Sequence, residues 1–200
     1  MLSDKDQMLH SLQEVISPQL LQISTEQYEK MGCFYEYLIN INQNMNLTRI
    51  TAPRDVAIKH FFDSLTVYQP EDFFQGCKVV DVGSGAGFPG IPLAILRPDL
   101  QVTLVDSLLK RTQFLSNIVQ MIGLGSVEVV HSRAEDFARD RHFREKFDVV
   151  LARAVAPLNV LSELCLPLVK VGGVFLAMKG PRAQEEAVEA RTAIGLLGGA

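Results

Sequence analysis

The run VVDVGSGAGFPG, residues 79–90, opens as a β-branched apolar stretch and passes through glycines into an apolar helical segment. A strand that turns sharply into a helix through glycines is the local structure a nucleotide-type loop requires. Gly83, Gly85 and Gly87 permit positive φ and let a ligand touch the backbone where a Cβ would intrude. Such a loop belongs at the edge of a parallel sheet, and the chain downstream alternates accordingly. KVVDV (78–82), QVTLVD (101–106), VEVVH (127–131), FDVVLAR (147–153) and GVFLAMK (173–179) read as strands. Helices are expected over 90–96, 108–122, 134–140, 158–169 and 184–197. The fold class is therefore α/β, a Rossmann-like, doubly wound, mainly parallel sheet with its ligand crevice at the carboxyl ends of the strands.

Upstream, residues 1–75 carry apolar residues at helical spacing and form an N-terminal helical segment expected to pack on the core of residues 76–200. One helix runs from Asp4 to Ile16 and is closed by Ser17-Pro18; a second runs from Thr25 to Ile41 behind a Ser24/Gln27 capping box. A third follows Pro53, with Val56, Phe61, Leu65 and Tyr68 on one stripe and Lys59, His60 and Asp63 partly on other sides. With 48% hydrophobic and 21% charged residues the chain is neither disordered nor a disulfide scaffold. Its three cysteines are scattered, so zinc and disulfide frameworks lack ligands and a reducing, cytoplasmic setting is expected. The acidic start MLSDKDQMLH and the lack of a charge-free 18-residue window argue against secretion and membrane insertion. A net charge of −4 excludes a generic nucleic-acid coat, so any RNA recognition must be local.

The pattern GxGxxG occurs at Gly85, Gly87 and Gly90, which brings dinucleotides into consideration. A pyrophosphate needs free amides and no adjacent anion, but Asp81 precedes the loop and Pro89 and Pro92 remove donors. S-adenosylmethionine carries no phosphate, and its ammonium and sulfonium charges are favoured beside a carboxylate such as Asp81. Asp106 ends the second strand, where an acid can accept from both ribose hydroxyls; it could equally cap the following helix. Ala134 and Glu135, after the third strand, stand at the adenine position. No metal site is expected.

After the fourth strand the chain reads LARAVAPL, without the Asn/Asp-Pro-Pro-aromatic loop of exocyclic-amine methylases, and no cysteine is placed as a nucleophile. The crevice offers cations instead: Arg153 and Lys179, ending strands four and five, suit a phosphate or a purine edge as catalytic groups. Alternatively Arg153 forms a structural ion pair with Asp81 or Glu135. The segment RDRHFREK reads as a solvated connector, and His10, His131 and His142 show no catalytic spacing.

NLTRI (46–50), the H-F-F-D-S-L run (60–65), VVDVGSGAGFPGIPLAI, DS-x-x-KR (106–111), SRAEDF, ARAVAPL and MKG together resemble the bacterial small-subunit ribosomal RNA guanine-N(7)-methyltransferases, also called glucose-inhibited division protein B. The resemblance spans about residues 30–182. It implies a class I S-adenosylmethionine-dependent methyltransferase that modifies a guanosine of 16S ribosomal RNA, in RNA or in the small subunit, in the cytoplasm and as a monomer, with no DNA or membrane partner. By matching motif, Gly83, Phe88, Ala134, Glu135 and Arg153 would contact the cofactor. Asn46, Leu47, Thr48, His60, Asp63 and Ser64 would line the guanosine side, or else serve as caps and interhelix bonds. Such folds usually continue into a final strand pair, whereas this sequence stops at Ala200, so the fifth strand is expected to lie at an exposed edge. The competing readings are an NAD-dependent oxidoreductase and a non-catalytic RNA-binding or assembly module on the same sheet.

Overall fold

The computed structural model describes residues 2–16 and 21–200; Ser17-Pro18, the expected stop of the first helix, lies outside them. The order of elements is α1 (Asp4–Val15), α2 (Thr25–Met45), α3 (Pro53–Val56, a π-helical turn Ala57–Phe62, then Asp63–Leu65), β1 (Lys78–Val82), α4 (Gly90–Leu96), β2 (Gln101–Asp106), α5 (Leu109–Met121), β3 (Val127–His131), α6 (Ala134–Arg139), β4 (Phe147–Arg153), α7 (Leu158–Cys165) with a 3-10 turn Leu166–Leu168, β5 (Val169–Met178) and α8 (Ala183–Leu196). β5 starts earlier than the sequence suggests because Pro167 ends the preceding helix and Val169 pairs at once with Phe147.

All five strands are parallel, in the order β3-β2-β1-β4-β5. β1 lies in the middle with its order reversal toward β4, so the switch point falls at the mouth of the glycine loop. The alternation of side chains divides the core. Val79, Val102, Leu104, Val149 and Leu151 face one cluster that includes Met8, Phe34, Leu38, Phe61 and Ile91, so the N-terminal helices and α4 close that face. Val80, Val82, Val105, Val150 and Ala152 face the other, closed by Phe137, Leu161, Cys165 and Leu168. Complete burial of such side chains contributes about 1.5–3 kcal/mol each. β5 is an edge strand with no fully buried residue, and Val171 is 98% exposed.

α2 starts as its capping box requires: Ser24 Oγ accepts from Gln27 N at 3.2 Å and Gln27 Oε1 accepts from Ser24 N at 2.8 Å. It runs four residues past the expected end, to Met45, and stops where Asn46 adopts left-handed φ of 50° as its C-terminal cap. In α3, residues i and i+5 stack because the π turn is wider than an α turn. Val56 and Phe61 are thereby both fully buried. The same widening corrects the expected placing of His60: it is turned inward and is only 8% exposed.

Candidate cofactor and acceptor site

The glycine loop leaves β1 and folds back over its own end. Gly83, Gly85 and Gly87 have φ of 73°, 56° and 91°. A Cβ on Gly83 would stand 2.7 Å from Val155 Cγ2, and one on Gly87 2.5 Å from Ile91 Cδ1, so neither position accepts a side chain. Gly90 holds a different constraint. It sits on Asp81, whose Oδ2 would lie 2.8 Å from an added Cβ and accepts the Gly90 amide at 3.0 Å. Asp81 is wholly buried, its Oδ1 has no partner, and burial pushes its pKa up to about 7.

At the end of β2, Asp106 accepts from Gly85 N and Leu108 N, each at 2.9 Å, and lies 3.5 Å from Arg111 Nη1. The cap and the ligand reading of Asp106 are thus compatible: its carboxylate organises the glycine loop and the start of α5 while lining a cleft. That cleft measures about 380 Å³ and is walled by Gly83, Asp106, Ala134, Glu135 and Arg153, all expected from the sequence. Ser107, Arg111, Ser132 and Val155 also line it and were missed. Arg111 carried a signal in the DS-x-x-KR run; Val155 carried none, since its place depends on Gly83 beneath it. Asp81, Gly85, Gly87 and Phe88, also expected at the cofactor, are not part of the lining.

Phe88 turns toward the N-terminal helices. Its ring stacks on Phe34 at 4.9 Å and on His60 at 4.7 Å, and Phe61 meets it edge-on at 5.3 Å. Arg153 extends over the same ring, with Cζ 5.4 Å from its centroid. The guanidinium donates to Asp63 Oδ2 at 3.0 Å, to the Lys59 carbonyl at 3.2 Å and to His60 Nδ1 at 3.4 Å. Its ion-pair partner is therefore Asp63, not Asp81 or Glu135, because the π turn of α3 presents Lys59, His60 and Asp63 together. A guanidinium has no acceptor, so His60 Nδ1 is unprotonated and Nε2 carries the proton toward Thr48 Oγ1 at 2.8 Å. Burial, reinforced by Arg153, lowers the His60 pKa to about 4, which keeps the ring neutral.

Thr48 is held by a residue the sequence reading passed over: Asn42 accepts from Thr48 N and donates to Thr48 O, each at 2.9 Å. Asn46 is exposed, whereas Ser64 is fully buried with its hydroxyl unpartnered. Lys179 was expected as a catalytic crevice cation suited to a phosphate or a purine edge. Instead its ammonium donates to the Ala156 carbonyl at 2.7 Å and pairs with Glu186 at 2.7 Å, and its side chain is 11% exposed.

The chain matches the model of the GidB family, rRNA small subunit methyltransferase G, over residues 27–199. It belongs to the GidB family. A ribosomal RNA small subunit methyltransferase G of Lactobacillus delbrueckii subsp. bulgaricus is 51% identical over 188 residues, which cover 93% of this chain and 79% of that protein. Among solved structures, a putative S-adenosyl-L-methionine-dependent methyltransferase of Methanococcus maripaludis aligns with TM-score 0.53 at 14% identity, covering 82% of this chain and 70% of that one. The [4+2]-cyclase SpnF aligns with TM-score 0.56 at 17% identity, covering 86% and 73%. The sheet is thus the class I methyltransferase sheet, and as the cyclase demonstrates, a shared fold does not by itself fix chemistry. This GidB-family chain is a methyltransferase whose cofactor is S-adenosyl-L-methionine.

The residues fit that cofactor. Five amides of the loop are already donated: Gly83 N and Ser84 N to Val105 O, Gly85 N to Asp106, Gly87 N to Ser84 O and Gly90 N to Asp81. The amides of Gly85, Gly87 and Gly90, the three glycines of GxGxxG, are thus committed within the protein, which counts against a dinucleotide, and the buried Asp81 keeps an unpartnered Oδ1 that suits an ammonium. None of the three free cysteines, Cys33, Cys77 and Cys165, lines the cleft. Burial pushes the Cys77 pKa up to about 11 and raises that of Cys165 further.

Proposed function

We propose that the protein transfers a methyl group from S-adenosyl-L-methionine to N(7) of a guanosine in 16S ribosomal RNA, with the cofactor in the 380 Å³ cleft and the guanosine on the far side of Arg153. One observation carries this reading: Arg153 lines the cleft and at the same time holds His60 and Asp63 of α3. A single rigid, charged partition thereby joins a cofactor wall to a polar acceptor wall.

When bound, the cofactor supplies an electrophilic methyl on a sulfonium. The protein's own residues supply position. Asp106 is placed to accept the ribose hydroxyls, Ala134 and Glu135 to meet the adenine edge, Gly83 to admit backbone contact, and Asp81 to balance the ammonium. On the acceptor side Arg153 can donate to the O6/N7 edge of guanine or to a phosphate. Thr48 Oγ1 accepts from His60 Nε2 and from Ile50 N at 3.0 Å, so its own proton is left for an incoming acceptor. Asn46 and Leu47 lead into this wall, and Asp63 balances charge beside Arg153. The N(7) lone pair is free, so no proton must leave before transfer, and a neutral His60 suits a site that orients rather than deprotonates.

The test is transfer of labelled methyl to small subunits lacking the modification and to their naked RNA, followed by reductive aniline cleavage. Cleavage at one guanosine is the expected result. Label on another base, or none with wild-type cofactor binding intact, would overturn the acceptor assignment.

A further inference from the structure

The segment 154–157, which joins β4 to α7, carries Ala154 and Val155 into the wall of the cleft. It does so under strain, for Ala154 has φ of 56°, a left-handed conformation that costs a residue with a Cβ about 1 kcal/mol or more. Val155 rests on Gly83, at the spot where any Cβ would stand. The next helix begins without help from its own sequence, because Pro157 occupies the N-cap and makes no side-chain cap bond.

Two residues from the far end of the chain supply what this segment lacks. Glu186, in the first turn of α8, accepts the Leu158 amide with Oε2 at 2.9 Å and so caps α7 from outside. The same oxygen holds Lys179 Nζ at 2.7 Å, and Lys179 in turn donates to the Ala156 carbonyl at 2.7 Å. The pair grips the backbone on both sides of Pro157. Lys179 and Glu186 are both half-buried, with side chains 11% and 22% exposed.

We propose that Lys179 and Glu186 are positioning residues that hold the strained 154–157 segment as the cofactor wall, with Lys179 acting through Ala156 and not on the acceptor. This rests on the reading of the cleft as the S-adenosyl-L-methionine site. It assigns Glu186 a part in cofactor affinity although it does not line the cleft. The pair should act as one unit, since either side chain alone loses its electrostatic partner.

The experiment compares the wild type with Lys179→Met, Glu186→Ala, the double variant and the conservative Lys179→Arg. Dissociation constants for S-adenosylhomocysteine come from calorimetry, and KM for cofactor and for small subunits is measured separately. Loss of one charge-assisted bond should weaken S-adenosylhomocysteine binding and raise the cofactor KM about tenfold, with the KM for subunits unchanged. The double variant should be no weaker than the weaker single variant, and Lys179→Arg should recover most of the affinity. Should Lys179→Met lower the melting temperature too far to assay, Glu186→Gln serves, since its amide oxygen still caps Leu158 while the charge is lost. Wild-type cofactor affinity in all folded variants, or a rise in the subunit KM alone, would overturn the proposal. Failure of the wild type itself to bind S-adenosylhomocysteine would instead refute the cleft assignment on which it stands.

Discussion

On one side of the Arg153 guanidinium the cleft is lined by strand ends and the short turns that follow them; on the other the wall is side chains of α3 and the segment after α2. The cofactor side is made largely of backbone: glycines in left-handed conformation, amides already donated, and an aspartate binding two of them. The acceptor side is a relay of side chains, Asn42 to Thr48 to His60 to Arg153 to Asp63, drawn from residues up to 111 positions apart (153 − 42). A wall of backbone is damaged by adding atoms, and a relay of side chains by removing them. The two sides should therefore separate in mutagenesis, and Arg153 should be the place where they do not.

The largest effect expected is on the backbone side. Gly83→Asp forces a side chain into Val155 at a positive φ and adds an anion to the cleft, and calorimetry should detect no S-adenosylhomocysteine binding by a protein that still folds. Arg153→Ala comes next. It removes the shared partition, and turnover of labelled methyl should fall about 100-fold through lost alignment, with both the cofactor and the subunit KM affected. A selective effect on one KM in that variant would break the comparison. His60→Phe sharpens it: the ring still stacks on Phe88, but the bonds to Thr48 and Arg153 are lost, so the KM for small subunits should rise about tenfold while cofactor affinity stays at the wild-type value.

The smallest effect is a dependence on pH that belongs to the cofactor side alone. Asp81 has its folded pKa raised, from 3.8 to about 7, because its carboxyl is buried. The native state therefore binds more protons than the unfolded chain between these values, so Asp81 draws stability away as pH rises from about 4 to about 7 and no further above that. A ligand that sets an ammonium beside Asp81 reverses the preference by favouring the carboxylate. S-adenosylhomocysteine should bind up to about tenfold more tightly at pH 8 than at pH 6, releasing a proton, and Asp81→Asn should flatten this dependence. His60, with its pKa lowered to about 4, stays neutral between pH 6 and 8 and adds nothing to this binding dependence; its effect is on stability, which it raises as pH climbs from about 4 to about 6.5.

The same contrast explains what could be read from the sequence. The sheet, its crevice and the places of Gly83, Asp106, Ala134, Glu135 and Arg153 in the cleft wall were legible because each is tied to a position along one strand and the turn that follows it. His60 was misplaced because the periodicity that locates a face assumes an α-helix, and the π turn at Ala57–Phe62 adds a residue to it. Asn42 and Glu186 were invisible for a different reason. Each acts on backbone groups, and which amides and carbonyls need a partner is decided only when α2 has ended and α7 has begun. Phe88 was expected by motif to contact the cofactor, but it does not line the cleft, and its inward stacking on Phe34 and His60 depends on helices that precede the sheet.

The committed amides of the glycine loop bear on how the protein fares among other adenosine-bearing molecules. Nucleotides with phosphate chains share the adenosine half and could present it at the same end of the cleft. Their phosphates would then shed water against a loop in which five N–H groups already point inward at Val105, Asp106, Ser84 and Asp81. The loop therefore works against a phosphate chain by the N–H groups it withholds, and the anions of Asp81 and Asp106 act in the same direction. A loop drawn from the same glycine pattern can welcome or refuse a phosphate according to whether two aspartates have claimed its amides first.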